Sequence, residues 1–212
     1  MKNHRQVCYK CLRPTKCCYC HLVQKISTKL KIIILIHPLE RRRKIATGRM
    51  AHLCLPNSEL IEGDDFTNHV KVNQIIENPN NHSMVLYPGI DAVNLTDAKS
   101  SQSSPLLFPE GKTPVLFIID GTWSTAKKTM KTSLNLKQLQ SICFTPTAKS
   151  QFRIRKQPND FCYSTIEAIH KVLNLVEAPL SSEQENNPHD VLLKVFLNMV
   201  EVQMDYLNRQ SI

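Results

Sequence analysis

At 212 residues and 24.3 kDa the chain has the length of one domain, or of one domain with a small appendage. Its 42% hydrophobic content is enough for a core and excludes a disordered chain, and only 5 glycines exclude collagen-like and low-complexity classes. The net charge of +9 is uneven: residues 1–50 hold 13 Lys and Arg against one acid, Glu40, and residues 121–156 hold eight basic residues and no acid.

Five of the eight cysteines fall within residues 8–20. Cys8 and Cys11 have the two-residue spacing that lets two thiolates grip one tetrahedral zinc ion. Cys18 and Cys20 form a tighter pair, and Pro14 between the pairs favours a turn that brings them together. Cys17 is the spare, although Cys17 and Cys20 are also two-spaced, and His21 is a weaker alternative ligand. A redox or incidental cysteine cluster is the competing reading. Cys54, Cys143 and Cys162 stand in apolar or strand-like contexts and read as small buried hydrophobes.

Residues 31–36 are a continuous β-branched run ending at His37-Pro38, a buried strand. Residues 39–53 are basic and helix-tolerant. A short strand over 83–87 is broken by Pro88-Gly89, and 94–114, rich in Ser, Pro and Lys, reads as a surface connection. Residues 115–119 make the clearest buried strand, stopped by Asp120-Gly121. A helix follows over 122–133, with Gly121 or Thr122 as N-cap. A fourth strand is expected over 141–145. Residues 152–155 alternate before a turn at Pro158-Asn159-Asp160. Ile166, Ile169, Val172, Leu173 and Val176 form a helical stripe over 164–176. Residues 181–188 read as a loop, and 189–209 as a long helix apolar at Leu192, Val195, Phe196, Met199, Val202 and Tyr206. Buried strands alternating with helices predict an α/β fold with a mostly parallel sheet. The expected division is a Cys-rich knuckle over 1–28 and a catalytic domain over 29–212. No segment approaches the ~18–20 apolar residues that span a bilayer. Residues 1–10 lack the apolar stretch of a secretory signal. The expectation is a cytoplasmic protein with reduced thiols and no membrane partner.

Two basic blocks on such a chain point to a polyanion, nucleic acid first. Arg41, Arg42, Arg43 and Lys44 form one run, Lys127, Lys128 and Lys131 lie along a helix, and Arg153, Arg155 and Lys156 form a second run. Charge runs are usually solvated faces, but this density beside a cysteine knuckle favours RNA.

Ligands of open α/β folds gather at the carboxyl ends of strands. Three strand ends here carry unusual residues: His37-Pro38-Leu39-Glu40, Leu86-Tyr87-Pro88-Gly89 and Asp120-Gly121-Thr122-Trp123. Ser164-Thr165-Ile166-Glu167 is a fourth polar group. Taken singly, each has a bland explanation as a turn or a capping box. No dinucleotide-binding glycine pattern, phosphate-binding loop, nucleophile elbow or zinc-protease helix is present.

Taken together and in order, these motifs resemble the DTW-domain family, whose Asp-x-Thr-Trp motif stands here as Asp120-Gly121-Thr122-Trp123. Cys8, Cys11, Arg13, Pro14, Cys18 and Cys20 resemble its metal knuckle and leave Cys17 outside the ligand set. His37-Pro38-x-Glu40, Thr47-Gly48-Arg49, Leu86–Gly89, Arg155-Lys156-Gln157-Pro158 and Ser164–Ala168 follow. Ala46 departs from the Asn that often precedes Thr-Gly.

The resemblance implies a SPOUT-like α/β fold, with a trefoil knot as a feature of such cofactor sites, and a small zinc knuckle. It implies a tRNA-uridine aminocarboxypropyltransferase using S-adenosylmethionine, with Asp120 as base or orienting acceptor. Trp123 either stacks on a base or packs its helix onto the sheet. Leu86, Tyr87, Pro88, Gly89, Gly121, Thr122, Ser164, Thr165 and Glu167 become the cofactor-binding candidates, and the first turn of the 164–176 helix a seat for the donor's carboxylate. An RNA methyltransferase of the same fold, and a non-catalytic zinc-bearing RNA-binding module, are the competing readings. No obligate protein partner is implied.

Overall fold

β1 (Lys31–Ile36) is buried on both sides because two separate layers cover the sheet to which it belongs. This computed structural model describes residues 6–41, 43, 45–97, 109–155, 157–177 and 187–210. Arg42, Lys44 and Lys156, most of the 94–114 connection and most of the 181–188 loop lie outside them. After β1 come α1 (Pro38–Arg41), α2 (Thr47–Cys54), β2 (Ser58–Glu62), α3 (Val70–Glu77), β3 (Asn81–Leu86) and β4 (Val93–Asn94). Then follow β5 (Thr113–Asp120), α4 (Trp123–Thr132), α5 (Leu134–Lys137), β6 (Gln140–Cys143), α6 (Thr165–Val176) and α7 (Asp190–Gln210). The strand order is β2-β1-β5-β3-β6-β4, and every pairing among them is parallel.

Because side chains alternate along a strand, the sequence parity sorts the core. Ile32 and Ile34 of β1 and Leu116 and Ile118 of β5 face a layer built from α2, α6 and α7. Ile33, Leu35, Val115 and Phe117 face the opposite layer, with Phe66, Val72 of α3, Met130 of α4 and Leu136 of α5. Asp120 ends β5 on the parity of Leu116 and Ile118, so its carboxylate falls beneath α2 and α6. That placement is a direct consequence of register, since Asp120 pairs with Ile36 where β1 also ends.

Several segments depart from the patterning. Residues 58–77, to which it assigns no element, form edge strand β2 and helix α3. The strand's two glutamates mask its alternation, and Glu59 is paired with Lys31 and Lys71. The 39–53 region divides into α1 and α2 rather than forming one helix. Residues 152–155 form a turn in place of an alternating run, and Phe152 enters the α2/α6/α7 layer. Thr122 caps α4 through its side chain, which accepts from the Thr125 N–H.

The cysteine knuckle is continuous with this layer. Cys11, Tyr19 and Ile26 share one buried cluster with the α7 residues Leu192, Val195 and Phe196. No helix among the described residues is long and apolar enough to cross a membrane. Ile34 is fully buried and also borders Gly48, so Ile34→Ala is expected to cost about 2–5 kcal/mol. A urea denaturation midpoint shifted by that amount, with unchanged slope, is the check.

Candidate functional site

The knuckle turns after Cys11 and again at Pro14, which precedes a 3-10 turn over Thr15–Cys17. Leu12 takes a left-handed conformation, φ 58°, reversing the chain after Cys11. The Cys8 N–H donates to the Arg13 carbonyl at 2.8 Å, and Val7 pairs with Pro14 across the turn. The sulfurs of Cys8, Cys11, Cys18 and Cys20 all lie within 4.8 Å of one another. Cys8 and Cys20 are 3.8 Å apart and Cys11 and Cys18 3.7 Å. A tetrahedral ion with metal–sulfur bonds of ~2.3 Å requires sulfur–sulfur edges of about 3.8 Å. The donor set therefore fits a metal ion of the zinc class. Cys17 and His21 are not in the group. N–H groups of Cys11 and Lys10 directed at its sulfur lower the Cys8 thiol to about 6, whereas burial raises Cys11 and Cys20.

The second centre is a cavity of about 600 Å³ at the carboxyl ends of the central strands, within the range of small-molecule sites. Leu86, Tyr87 and Pro88 after β3, Gly121, Thr122 and Trp123 after β5, and Ser164 and Thr165 at the start of α6 all line it. Of the proposed cofactor set, Gly89 and Glu167 are not among the lining residues. A Cβ on Gly89 would meet nothing within 4 Å, so no contact in this structure demands glycine there. Trp123 is 44% exposed and lines the cavity. Both observations favour the stacking reading over the one in which it packs α4 onto the sheet.

Asp120 is 3% exposed and does not itself line the cavity. Its Oδ1 accepts from the Thr165 hydroxyl at 2.5 Å, and Thr165 is the residue that reaches the cavity. Its Oδ2 is buried with no hydrogen-bond partner of good geometry. A Cβ added at Gly48 would lie 2.5 Å from that oxygen, so glycine is required for the approach of α2. Burial pushes the carboxyl from its ordinary 3.8 up to about 6. The charge of Glu40 adds to the rise, and Thr165, Arg155 and the Gly48 amide oppose it. Ala46 is the N-cap of α2 and supplies no side-chain cap, which is what replacing an Asn there forfeits.

Glu167 has a different task from cofactor binding. Its Oε2 accepts from the Ser164 N–H and hydroxyl at 2.8 and 2.6 Å, and its Oε1 accepts from the Gln151 N–H at 2.8 Å. The Ser150 hydroxyl also lies within hydrogen-bond distance of both oxygens. A carboxylate so saturated cannot receive a ligand. It ties α6 to the 150–157 loop, which brings Phe152, Arg155 and Gln157 to the cavity. The same carboxylate takes the N–H of the N-cap residue Ser164 in a capping box at the start of α6.

Arg155 is likewise not part of an exposed run. Its side chain is 18% exposed and forms a fork with buried Glu40, at 2.7 and 3.2 Å. Arg43 also reaches Glu40, at 3.3 Å, and Arg41 pairs with Glu62. Arg153, Lys127, Lys128 and Lys131 are exposed, the three lysines along α4. Sequence reasoning missed Thr47, Phe144, Phe152, Phe161 and Tyr163 as cavity residues. The dense aromatics of 144–163 were the available signal, since a cavity with six aromatic walls suits planar rings.

A family model described as the DTW domain matches residues 5–204. A tRNA-uridine aminocarboxypropyltransferase 2 of Drosophila melanogaster is 31% identical over 185 residues, which is 83% of this chain and 68% of that protein. The mouse protein of the same name is 29% identical over 82% of this chain, and the chain spans 58% of its length. A tRNA-uridine aminocarboxypropyltransferase A of Arabidopsis thaliana is 28% identical over 97% of this chain and 83% of its own. No solved structure gives a significant match.

Two outcomes follow from this geometry. Cys11→Ser is expected to lose bound zinc and Cys17→Ser to keep it, as read by metal content of the purified proteins. For Asp120 the raised folded-state value means that the folded protein binds the proton more tightly than the unfolded chain. Stability is therefore lost as pH rises from about 4 to about 6 and is flat above, a penalty of about 3 kcal/mol at neutral pH. Denaturation of wild type and Asp120→Ala across pH 4–8 is expected to show the variant gaining on the wild type over that interval.

Proposed function

Because this chain belongs to the DTW domain family, we propose that it transfers the 3-amino-3-carboxypropyl group of S-adenosylmethionine to N3 of a uridine in tRNA. The observation that carries the reading is the convergence of three strand-end motifs and the α6 start on one aromatic-walled cavity. The names of the fly, mouse and plant relatives support the reaction class.

When bound, S-adenosylmethionine supplies a sulfonium whose bond to the side-chain γ-carbon breaks as the bond from N3 forms. The electron pair stays on the sulfur of 5′-methylthioadenosine. The protein's tasks are to align the two reactants and to take the N3 proton. Leu86, Tyr87, Pro88, Gly121 and Thr122 surround the adenosine, and Trp123 at the open side stacks on a base. Thr165 accepts the proton at Oγ1 while passing its own to Asp120, whose value of about 6 suits a base near neutrality. Asp120 thus acts through Thr165 rather than by touching the uracil.

Exposed Lys127 and Lys128 on α4, with Arg41, Arg43 and Arg153, give the RNA backbone its attraction. Zinc held by Cys8, Cys11, Cys18 and Cys20 has four protein ligands and is a structural ion. In this reading residues 1–28 are a metal-stabilised appendage of the catalytic unit. A SPOUT-like class with a knotted cofactor site and a cytoplasmic location belong to the same reading. The all-parallel sheet with its cavity at the carboxyl edge supports the fold class.

Nucleoside mass spectrometry of tRNA incubated with the protein and S-adenosylmethionine tests the proposal. Aminocarboxypropyl uridine and 5′-methylthioadenosine are expected in equal amounts, with Asp120→Ala about 10²–10⁴-fold slower. Formation of S-adenosylhomocysteine instead would identify a methyltransferase. No modified nucleoside from a complete tRNA pool would refute both enzymes.

A further inference from the structure

Among the described residues that line the cavity, Arg155 alone carries a formal charge. We propose that its guanidinium, held in place by Glu40, is a carboxylate-binding subsite that receives the α-carboxylate of the group to be transferred. This rests on the reading of the cavity as a site for S-adenosylmethionine and deepens it by assigning the end opposite the adenosine.

The site is built rather than incidental. Glu40 is 2% exposed and takes one N–H from each terminal nitrogen of Arg155, in the fork arrangement that fixes the guanidinium plane. The Phe152 ring, another cavity wall, lies 6.0 Å from the guanidinium carbon. Five N–H groups are available on a guanidinium; Glu40 takes two, and among the described residues no second acceptor meets the others. Arg43 also contacts Glu40. The buried carboxylate is therefore shared between two cations, and Arg155 is not neutralised by it alone.

The other polar groups near this end suit an anion poorly. Asp120 and Glu40 are acids, and a third carboxylate, that of Glu167, stands at the α6 N-terminus in a capping box with Ser164. An amino acid chain entering the cavity thus finds one cationic contact for its carboxylate. Anchoring that end matters for the reaction class. In aminocarboxypropyl transfer the chain bearing the carboxylate also bears the reacting carbon, so Arg155 holds the migrating group itself. In methyl transfer the same chain departs unchanged on the sulfur.

The test compares two ligands that differ in this chain. S-adenosylhomocysteine carries the carboxylate, and 5′-methylthioadenosine does not. Calorimetric titration of the wild type is expected to show tighter binding of S-adenosylhomocysteine. Arg155→Gln is expected to weaken it about 10- to 100-fold, the size of one charge-assisted contact, and to leave 5′-methylthioadenosine within about twofold. Retained binding of the latter also reports an intact fold. If the single variant leaves Glu40 stranded and fails to fold, the double variant Glu40→Gln, Arg155→Gln removes both charges and is expected to behave the same way. Equal weakening of both ligands, or of neither, would overturn the carboxylate assignment while leaving the adenosine site standing. A wild type that binds neither ligand would overturn the cavity reading and this subsite with it.

Discussion

A buried carboxylate is the constraint around which the active end of this protein is arranged. Asp120 sits at the carboxyl end of β5, on the parity that faces α2 and α6, and both helices approach it to hydrogen-bond or near-contact distance. The approach of α2 demands Gly48, and the start of α6 supplies the Thr165 hydroxyl. Burial holds its proton more tightly than in an ordinary aspartate. The fold carries this as a loss of stability at neutral pH, of the kind that functional sites impose on their scaffolds. In the proposed reaction the same burial puts the proton affinity where a base near neutrality needs it.

Around that carboxylate lies a chain of acids and cations with separate tasks. Glu40 fixes Arg155, Glu167 fixes the loop that carries Arg155, and Thr165 stands between Asp120 and the cavity. None of the three acids lines the cavity. Glu40 and Glu167 spend their hydrogen bonds on the positions of other groups, which is how a site made largely from loops acquires rigidity.

Much of the fold was legible because buried parallel strands are written as uninterrupted apolar runs. β1 and β5 stand out for that reason, as do α6 and α7 with their apolar stripes. β2 and α3 were not legible, since an edge strand with two charged residues in five looks like a loop until Lys31 and Lys71 are placed beside it. At the site, the motif positions around Asp120, Leu86 and Ser164 were readable, and so was the four-cysteine set once the family resemblance excluded Cys17. The roles of Glu167 and Arg155 were not. A charged residue in a sequence carries no mark of whether its partner is solvent, RNA or a buried acid 115 residues away. The aromatic walls at Phe144, Phe152, Phe161 and Tyr163 come from irregular chain, which has no period to read.

The contact between the knuckle and α7 joins residues far apart in the order of synthesis. Arg13 reaches Gln203 across 190 positions, and the apolar side of the knuckle, with Cys11 and Tyr19, is covered by the final helix. On a ribosome the four cysteines emerge within thirteen residues of one another, long before the residues of that cover are made. Because α7 follows every strand in the sequence, the cover over Cys11 and Tyr19 can form only after the whole sheet has been synthesised.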